Sequence, residues 1–472
     1  MPDHEPHASQ PPYEAPRSER PTTAEGTLER PTGKHDPYAA FRFPAFSFYT
    51  AGNLVSVVGR QMLTVSLEWE IYARTHSATA LGLVGLMIAL PVVLLSLPAG
   101  HIADRFPRKR IVLVTQALSA ICSIALAFVS WQHLAIPNWP VLQKGNHFLY
   151  GIASIFERQT HFHFDDLSVP LIYLILLVSA TGRTFGWAAR SSFFPQLVPR
   201  DSFANAVTWN SSVFQIGSVV GPAIGGLLIV RTGFPFIYVL DAICAFSFFL
   251  LVLPIRASDH GSSSERNAWR SLKEGVRFMM SKRLVLATIT LDMFAVFLGG
   301  ATALLPIFAD QILHCGPIGL GWMRAAPGIG AFIMALVIAY LPPMRHAGKT
   351  LLWCVTGFGL STIIFGLSPY LWLSLVMLFM TGAFDSVSVV VRHTLLQLVT
   401  PDSMRGRISA VNNIFIGTSN ELGALESGLT AALFGPMISV VAGGVGTILV
   451  VLGVSFVWPE TRKIGALDRN LR

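Results

Sequence analysis

Residues 99–110 read AGHIADRFPRKR, one carboxylate and four basic side chains set between two long apolar runs. Charge this dense beside stretches this greasy raises the question of what solvent the chain is built for. Of its 472 residues 52% are hydrophobic and only 13% charged, and the mean hydropathy is +0.56. That balance excludes an ordinary soluble protein and points to lipid. Apolar runs of about 18 to 25 residues, long enough to cross a hydrocarbon layer of about 30 Å, recur from the late forties to the late 450s. The chain is read as a polytopic, all-α membrane protein.

Residues 1–44 are rich in Pro, Ser, Thr, Glu and His and offer nothing apolar to bury, so a disordered cytoplasmic tail is expected. They hold no signal-peptide core, and the first span is expected to be retained. Spans are placed near 45–73, 80–103, 111–133, 169–190, 205–230 and 233–254. A polar, basic stretch, 255–283, has the composition of a cytoplasmic linker. Six more spans follow near 284–309, 318–341, 349–367, 370–393, 408–434 and 437–458, with a second cytoplasmic tail over 459–472. The expected domains are a six-helix half over 45–254 and another over 284–458.

Lys and Arg sort by loop. With both termini in the cytoplasm, the even-numbered loops and the tails hold about 27 of the 34 basic residues and the odd-numbered loops about four. Arg105, Arg108, Lys109 and Arg110 then anchor a cytoplasmic loop between spans 2 and 3. The net charge of +8 is explained by topology, so no nucleic-acid partner is expected. Cys122, Cys244, Cys315 and Cys354 are too scattered for a disulfide framework or a zinc site. The long outer insertion 134–168 contains His147, His161, His163, Asp165 and Asp166, but no tetrahedral ligand spacing, and is read as solvated.

Topology does not account for Asp104. Gly100, three residues, Asp104-Arg105, then Arg108-Lys109 resembles the signature loop between helices 2 and 3 of the major facilitator superfamily, with Pro107 where a glycine is usual. In span 5, Gly217, Gly221 and Gly225 recur every four residues as one smooth face for close helix packing, Pro222 invites a kink, and Gly226 completes the motif. That arrangement is similar to the motif of the superfamily's exporters and antiporters. Trp69-Glu-Ile-Tyr72, Gly182-Arg183-Thr-Phe185 and Arg405-Gly406-Arg407 extend the resemblance to the enterobactin-exporter-like branch of drug and metabolite efflux proteins. The resemblance implies twelve transmembrane helices in two pseudo-symmetric halves, a loop that latches the halves together, and a central cavity lined by spans 1, 4, 7 and 10.

A charge in mid-bilayer is costly, by about 2.5 to 3.5 kcal/mol on insertion scales, and so marks a candidate site. The candidates for protons or substrate are Arg60, Glu68, Arg183, Asp292, Asp385 and Glu421. Asp292, Asp385 and Glu421 are the expected proton carriers, against the plainer reading that they pair with Arg183, Arg324 or Arg392 to hold helices together. Asp241 is read as structural, Glu70 as lying at the outer interface, and Trp69, Tyr72, Trp187 and Trp209 as interfacial anchors.

The activity read from these features is secondary transport by a monomer: proton-gradient-driven export of a small amphipathic molecule such as a drug, siderophore or metabolite. No phosphate-binding loop, metal site or cofactor is expected, and no His-Glu-x-x-His or Gly-x-Ser-x-Gly constellation supports an enzyme. A uniporter, an importer, a lysophospholipid transporter and a non-transporting sensor of the same fold remain alternatives.

Overall fold

The computed structural model describes residues 36–131, 140–156, 168–256, 268–342, 344–401 and 404–465. Among these residues the regular elements are all helical. Lipid offers a backbone no hydrogen-bond partners, so apolar runs of this length must satisfy their amides internally as helices. The long helices are α1 (Pro44–Thr75), α2 (Ala78–Arg105), α3 (Arg108–Trp131), α5 (Ser168–Phe193), α6 (Arg200–Thr232) and α7 (Phe234–Val252). They are followed by α9 (Arg283–Leu298), α11 (Gly316–Tyr340), α12 (Ala347–Leu367), α13 (Leu371–Val399), α14 (Arg405–Phe434) and α15 (Pro436–Val457). Ten helical segments, α9 counted with its continuation to Ile312, are apolar enough to cross a membrane. The remaining two long helices, α1 and α14, carry more polar side chains and pack among the ten, an arrangement consistent with twelve spans.

Two helices lie in stretches expected to be irregular. α4 (Pro140–Phe156) occupies the middle of the 134–168 insertion, and α8 (Ala268–Ser281) lies within 255–283. On α8, Val276, Phe278 and Met279 turn toward Val285, Ile408 and Val411. His161, His163, Asp165 and Asp166 lie outside the described residues, as does most of the N-terminal tail.

The packing repeats. In the first half α1 packs on α6 and α7, α3 on α5 and α7, and α2 on α5. In the second half α9 packs on α14 and α15, α12 on α13 and α15, and α11 on α13. Each pair in one list has its counterpart six spans later in the other. Turn chemistry repeats as well: α6 passes to α7 through Gly233 at φ 76 with Pro235 behind it, and α14 passes to α15 through Gly435 at φ 93 followed by Pro436. Only glycine adopts that φ without strain, and proline then starts the next helix with its φ already set.

Two further packings join the halves, α2 on α14 and α6 on α11. The glycines of α6 serve two contacts from two faces. A Cβ at Gly221 would stand 2.5 Å from Gln61 Cβ and 2.8 Å from the Val58 carbonyl, and one at Gly225 would crowd Met62, so these glycines seat α6 on α1 within its half. Gly226 faces α11, where a Cβ would stand 2.5 Å from the Pro317 carbonyl and 2.9 Å from Gly321 Cα. Gly82 and Gly428 make the equivalent close approach between α2 and α14.

Around the outside, α3, α7, α12 and α15 present apolar stripes at helical spacing. Phe236, Val239, Ile243, Phe246 and Leu250 of α7 are all exposed, as are Val114, Ile121, Ile124 and Phe128 of α3. Lipid tails cover such stripes without cost.

The cores distinguish the two ends of the bundle. At the end bearing the α1–α2 turn, Met62, Val65, Tyr72 and Leu81 share one buried cluster with Leu304, Phe308, Met323 and Ala431 from the other half. At the opposite end, which bears the α2–α3 turn, the buried clusters belong to one half each: Tyr49, Phe193 and Phe248 in the first, Leu291, Leu351 and Val391 in the second. The halves are therefore fused at one end and separately packed at the other.

Span 7 is not one continuous helix. α9 stops at Leu298, Gly299 and Gly300 follow, and the chain continues as a 3-10 turn (Ala301–Leu304), α10 (Leu305–Ile307) and a π turn (Phe308–Ile312). A Cβ at Gly300 would stand 2.7 Å from both the Gly423 carbonyl and Ser427 Oγ, so the break is wedged against α14. Irregular backbone at this depth is tolerated because protein, not lipid, surrounds it: Ala301, Ala303, Leu304 and Leu305 are buried.

Candidate functional site

Two polar contacts bridge the halves at the fused end. Glu68 Oε1 of α1 pairs with Arg324 Nη2 of α11 at 2.8 Å, and Arg324 also donates to the Thr302 carbonyl at 3.1 Å. One turn further along α1, the Tyr72 hydroxyl donates to Asp310 Oδ2 at 3.0 Å. Tyr72 is 1% exposed, so it is part of the closure and not an interfacial anchor. Glu70, expected at the interface, is likewise fully buried: Arg74 binds its Oε1 at 2.7 Å and the Tyr238 hydroxyl donates to its Oε2 at 2.6 Å. That pair ties α1 to α7 within the first half.

Deeper in the first half, Arg60, Arg183, Arg190 and Asp241 line one recess between α1, α3, α5 and α7. Asp241 accepts from Ser123 Oγ at 2.6 Å, and Gln116 donates to Ser56 Oγ at 3.3 Å in the same wall. Arg183 feels the charges of Asp241 and, across the interface, of Glu421 on α14. Glu421 in turn lies within electrostatic reach of Arg324. A chain of charged groups thus runs from Arg190 through Arg60, Asp241, Arg183 and Glu421 to the Arg324–Glu68 pair.

The second half holds a separate constellation. Asp292 of α9 is in direct ion-pair contact with Arg392 of α13, and Asp385 stands 3.8 Å from the same guanidinium. The Asp292 and Arg392 side chains are each 10% exposed, whereas that of Asp385 is 49% exposed. One small recess beside Asp292 is lined by His393 and Asn412, another by Asp385, Phe358 and Phe384. Two carboxylates thus face one guanidinium.

In the α2–α3 turn the basic residues act within the first half. Arg108 donates to the Ser192 carbonyl at 3.2 Å and Lys109 to the Leu253 carbonyl at 2.7 Å, capping the last turns of α5 and α7 where free carbonyls and the helix dipole favour a cation. Asp104 and Arg105 are exposed, and their side chains make no hydrogen bond or ion pair among the described residues. A Cβ on Gly100 would meet nothing within 4 Å. Gly100 therefore makes no close helix contact in this conformation.

Sequence reasoning passed over Asp310, Thr302, Ser123, Tyr238 and Arg190. Asp310 falls one residue beyond the expected end of span 7, and Arg190 on the expected end of span 4, so neither was counted as an intramembrane charge. The four cysteines are free, and among the described residues no group of His, Cys, Asp or Glu is placed to hold a metal ion.

The comparisons with known proteins fit this architecture. The chain is 26% identical over 420 residues to the enterobactin exporter EntS of Escherichia coli O1:K1 / APEC, covering 89% of this chain and 93% of that one. The enterobactin exporter of Shigella boydii serotype 18 matches at the same identity and coverage. Among solved structures, a D-xylose–proton symporter superposes with a TM-score of 0.65 at 14% identity, covering 90% of this chain and 100% of that one. A bacterial homologue of the human lysosomal transporter Spinster, inward-facing and occupied, superposes with a TM-score of 0.64 at 15% identity, covering 91% and 99%. The family profile described as transmembrane secretion effector matches residues 35–157 and 141–469. This chain, a multi-pass membrane protein with the transporter fold of the major facilitator superfamily, belongs to the transmembrane secretion effector family.

Proposed function

We propose that the protein exports a small amphipathic molecule, of the kind represented by drugs, siderophores and metabolites, across the cytoplasmic membrane in exchange for protons. It works as a monomer by alternating access, with both termini in the cytoplasm. The observation that carries this reading is the contrast between the ends: one core and the Glu68–Arg324 and Tyr72–Asp310 contacts seal the α1–α2 end, while the halves are packed separately at the α2–α3 end. The distribution of Lys and Arg places the α2–α3 end in the cytoplasm. The conformation is then inward-open, ready to load from the side where an exporter collects its cargo. The enterobactin exporters among its relatives support the outward direction.

Proton coupling is assigned to the second half. With Arg392 held by Asp292, Asp385 supplies one negative charge in excess, and its exposure lets it exchange a proton without breaking the ion pair. Protonation there removes a charge whose solvation differs between the open and closed states, which tilts the equilibrium between them.

The direct test expresses the protein in an efflux-deficient bacterial host and follows accumulation of a panel of dyes and siderophores before and after the proton gradient is collapsed. Gradient-dependent exclusion of at least one compound is expected. Accumulation indistinguishable from that of the empty host for every compound would oppose export.

The exposed Asp104 acquires its partner when the α2–α3 end closes, whereas Lys109 already caps α7 in the open state. Asp104→Asn is therefore expected to slow transport by about 10-fold at equal membrane abundance, roughly 1.4 kcal/mol on the closed state. Lys109→Gln should lower abundance more than turnover. Equal effects on turnover would reduce the loop to a topology anchor.

A further inference from the structure

The recess of the first half is short of negative charge. Arg60, Arg183 and Arg190 line it with a single carboxylate, Asp241, which Ser123 already holds. Extending the count to the groups that act on Arg183 adds Glu421, then Arg324 and Glu68. Four guanidiniums then stand against three carboxylates, one anion short of neutrality. Tyr49, the other titratable group facing Arg60 and Arg190, is an uncharged phenol in its ordinary form.

Two further observations concern the same recess. Arg183 Nη2 is shielded from solvent and has no hydrogen-bond partner, although a guanidinium N–H in this setting is a strong donor. Ser56, Gln116 and Arg190 complete the polar wall of the recess, which has an empty volume of about 300 Å³ including its open side. An excess of positive charge beside an idle, solvent-shielded donor describes a seat for a small monovalent anion.

We propose that a halide ion, chloride under physiological conditions, occupies this recess and is held by Arg60, Arg183 and Arg190. Bound there, it completes the charge balance of the chain of groups that leads to the Glu68–Arg324 closure. It therefore stabilises the packing of α1, α3, α5 and α7 around the arginines. The site is separate from the carboxylates assigned to proton exchange, and its occupancy is measured without transport.

The test uses the full-length protein in lipid nanodiscs. Thermal unfolding is followed while chloride replaces gluconate at constant ionic strength, and bromide bound per chain is counted by equilibrium dialysis. The expected results are a saturable rise in the unfolding midpoint of about 3 °C and one bromide per chain, the rise reflecting mass action by a ligand of the folded state. Arg60→Gln and Arg183→Gln should each abolish both signals. Asp241→Asn, which increases the positive excess, should instead lower the chloride concentration giving the half-maximal rise. Identical midpoints in chloride and gluconate, or bromide binding unchanged in both arginine variants, would overturn the proposal. If the arginine variants do not fold, the wild-type salt comparison and the Asp241→Asn shift decide it, and their joint absence is equally fatal.

Discussion

Asp385→Asn is expected to abolish gradient-driven transport, by about 100-fold in respiring inverted vesicles whose lumen is acidified, the upper range of a coupling free energy between two sites. Asparagine reproduces the neutral form of the side chain permanently, so binding and release of a proton no longer distinguish the two conformations. Arg392 keeps its partner Asp292, so the helices stay in register and the protein should accumulate normally. Exchange of labelled for unlabelled substrate across the membrane, which needs no net proton movement, should survive in the same vesicles. Asp292→Asn should behave differently. It removes the buried partner of a buried guanidinium, at a cost of about 3 to 5 kcal/mol, and should reduce abundance before it reduces coupling. Gradient-driven accumulation at the wild-type level in Asp385→Asn would remove this residue from the coupling scheme.

The second large effect concerns the Glu68–Arg324 pair. Glu68→Gln or Arg324→Gln leaves the opposite charge buried at the junction of the halves, destabilising the sealed α1–α2 end by about 3 kcal/mol and moving a two-state balance by about 100-fold. Both variants should sample the opposite conformation, which a thiol reagent would detect as faster labelling of a cysteine placed at Ala431, buried in the cluster the two halves share. The charge exchange Glu68→Arg with Arg324→Glu should restore the seal incompletely, because a carboxylate at 324 would face the Thr302 carbonyl that the arginine now donates to. Unchanged labelling in all three variants would mean that the apolar cluster around Phe308 and Met323 holds this end closed alone.

The helical bundle was readable from the sequence because lipid imposes one solution on every long apolar run, and the positions of Lys and Arg follow from the same constraint. What composition does not carry is rotation about each helix axis. Glu70 sits two residues from Glu68, yet one carboxylate turns inward to Arg74 and Tyr238 while the other turns across the interface to Arg324. Arg74 is a local partner four residues on, but Tyr238 and Arg324 lie 168 and 256 residues away in the chain, beyond the reach of local pattern. The break at Gly299–Gly300 was equally hidden, since two glycines inside an apolar run carry no sign of the neighbours that crowd them, Phe358 of α12 at Gly299 and Gly423 of α14 at Gly300. Asp310 escaped for a different reason: the extra length of the broken span carries it past the boundary that hydropathy sets. Of the residues singled out in advance, Asp292, Asp385 and Arg392 gather in the second half, and Arg60, Arg183 and Asp241 in the first. Gly217, Gly221 and Gly225 form one face against α1, and Gly226, one residue on, faces α11 instead.

The central claim is that two packed halves rock about an axis between them, opening one end as the other closes. Spin labels at Phe106 and Tyr340 report the α2–α3 end, and labels at Thr232 and Phe434 the α1–α2 end, all at exposed positions. The decisive measurement is the pair of distance distributions from wild-type protein and Glu68→Gln in nanodiscs. If the halves rock in this way, the substitution shortens the Phe106–Tyr340 distance and lengthens the Thr232–Phe434 distance together. Distances that change at one end while the other stays fixed would contradict it.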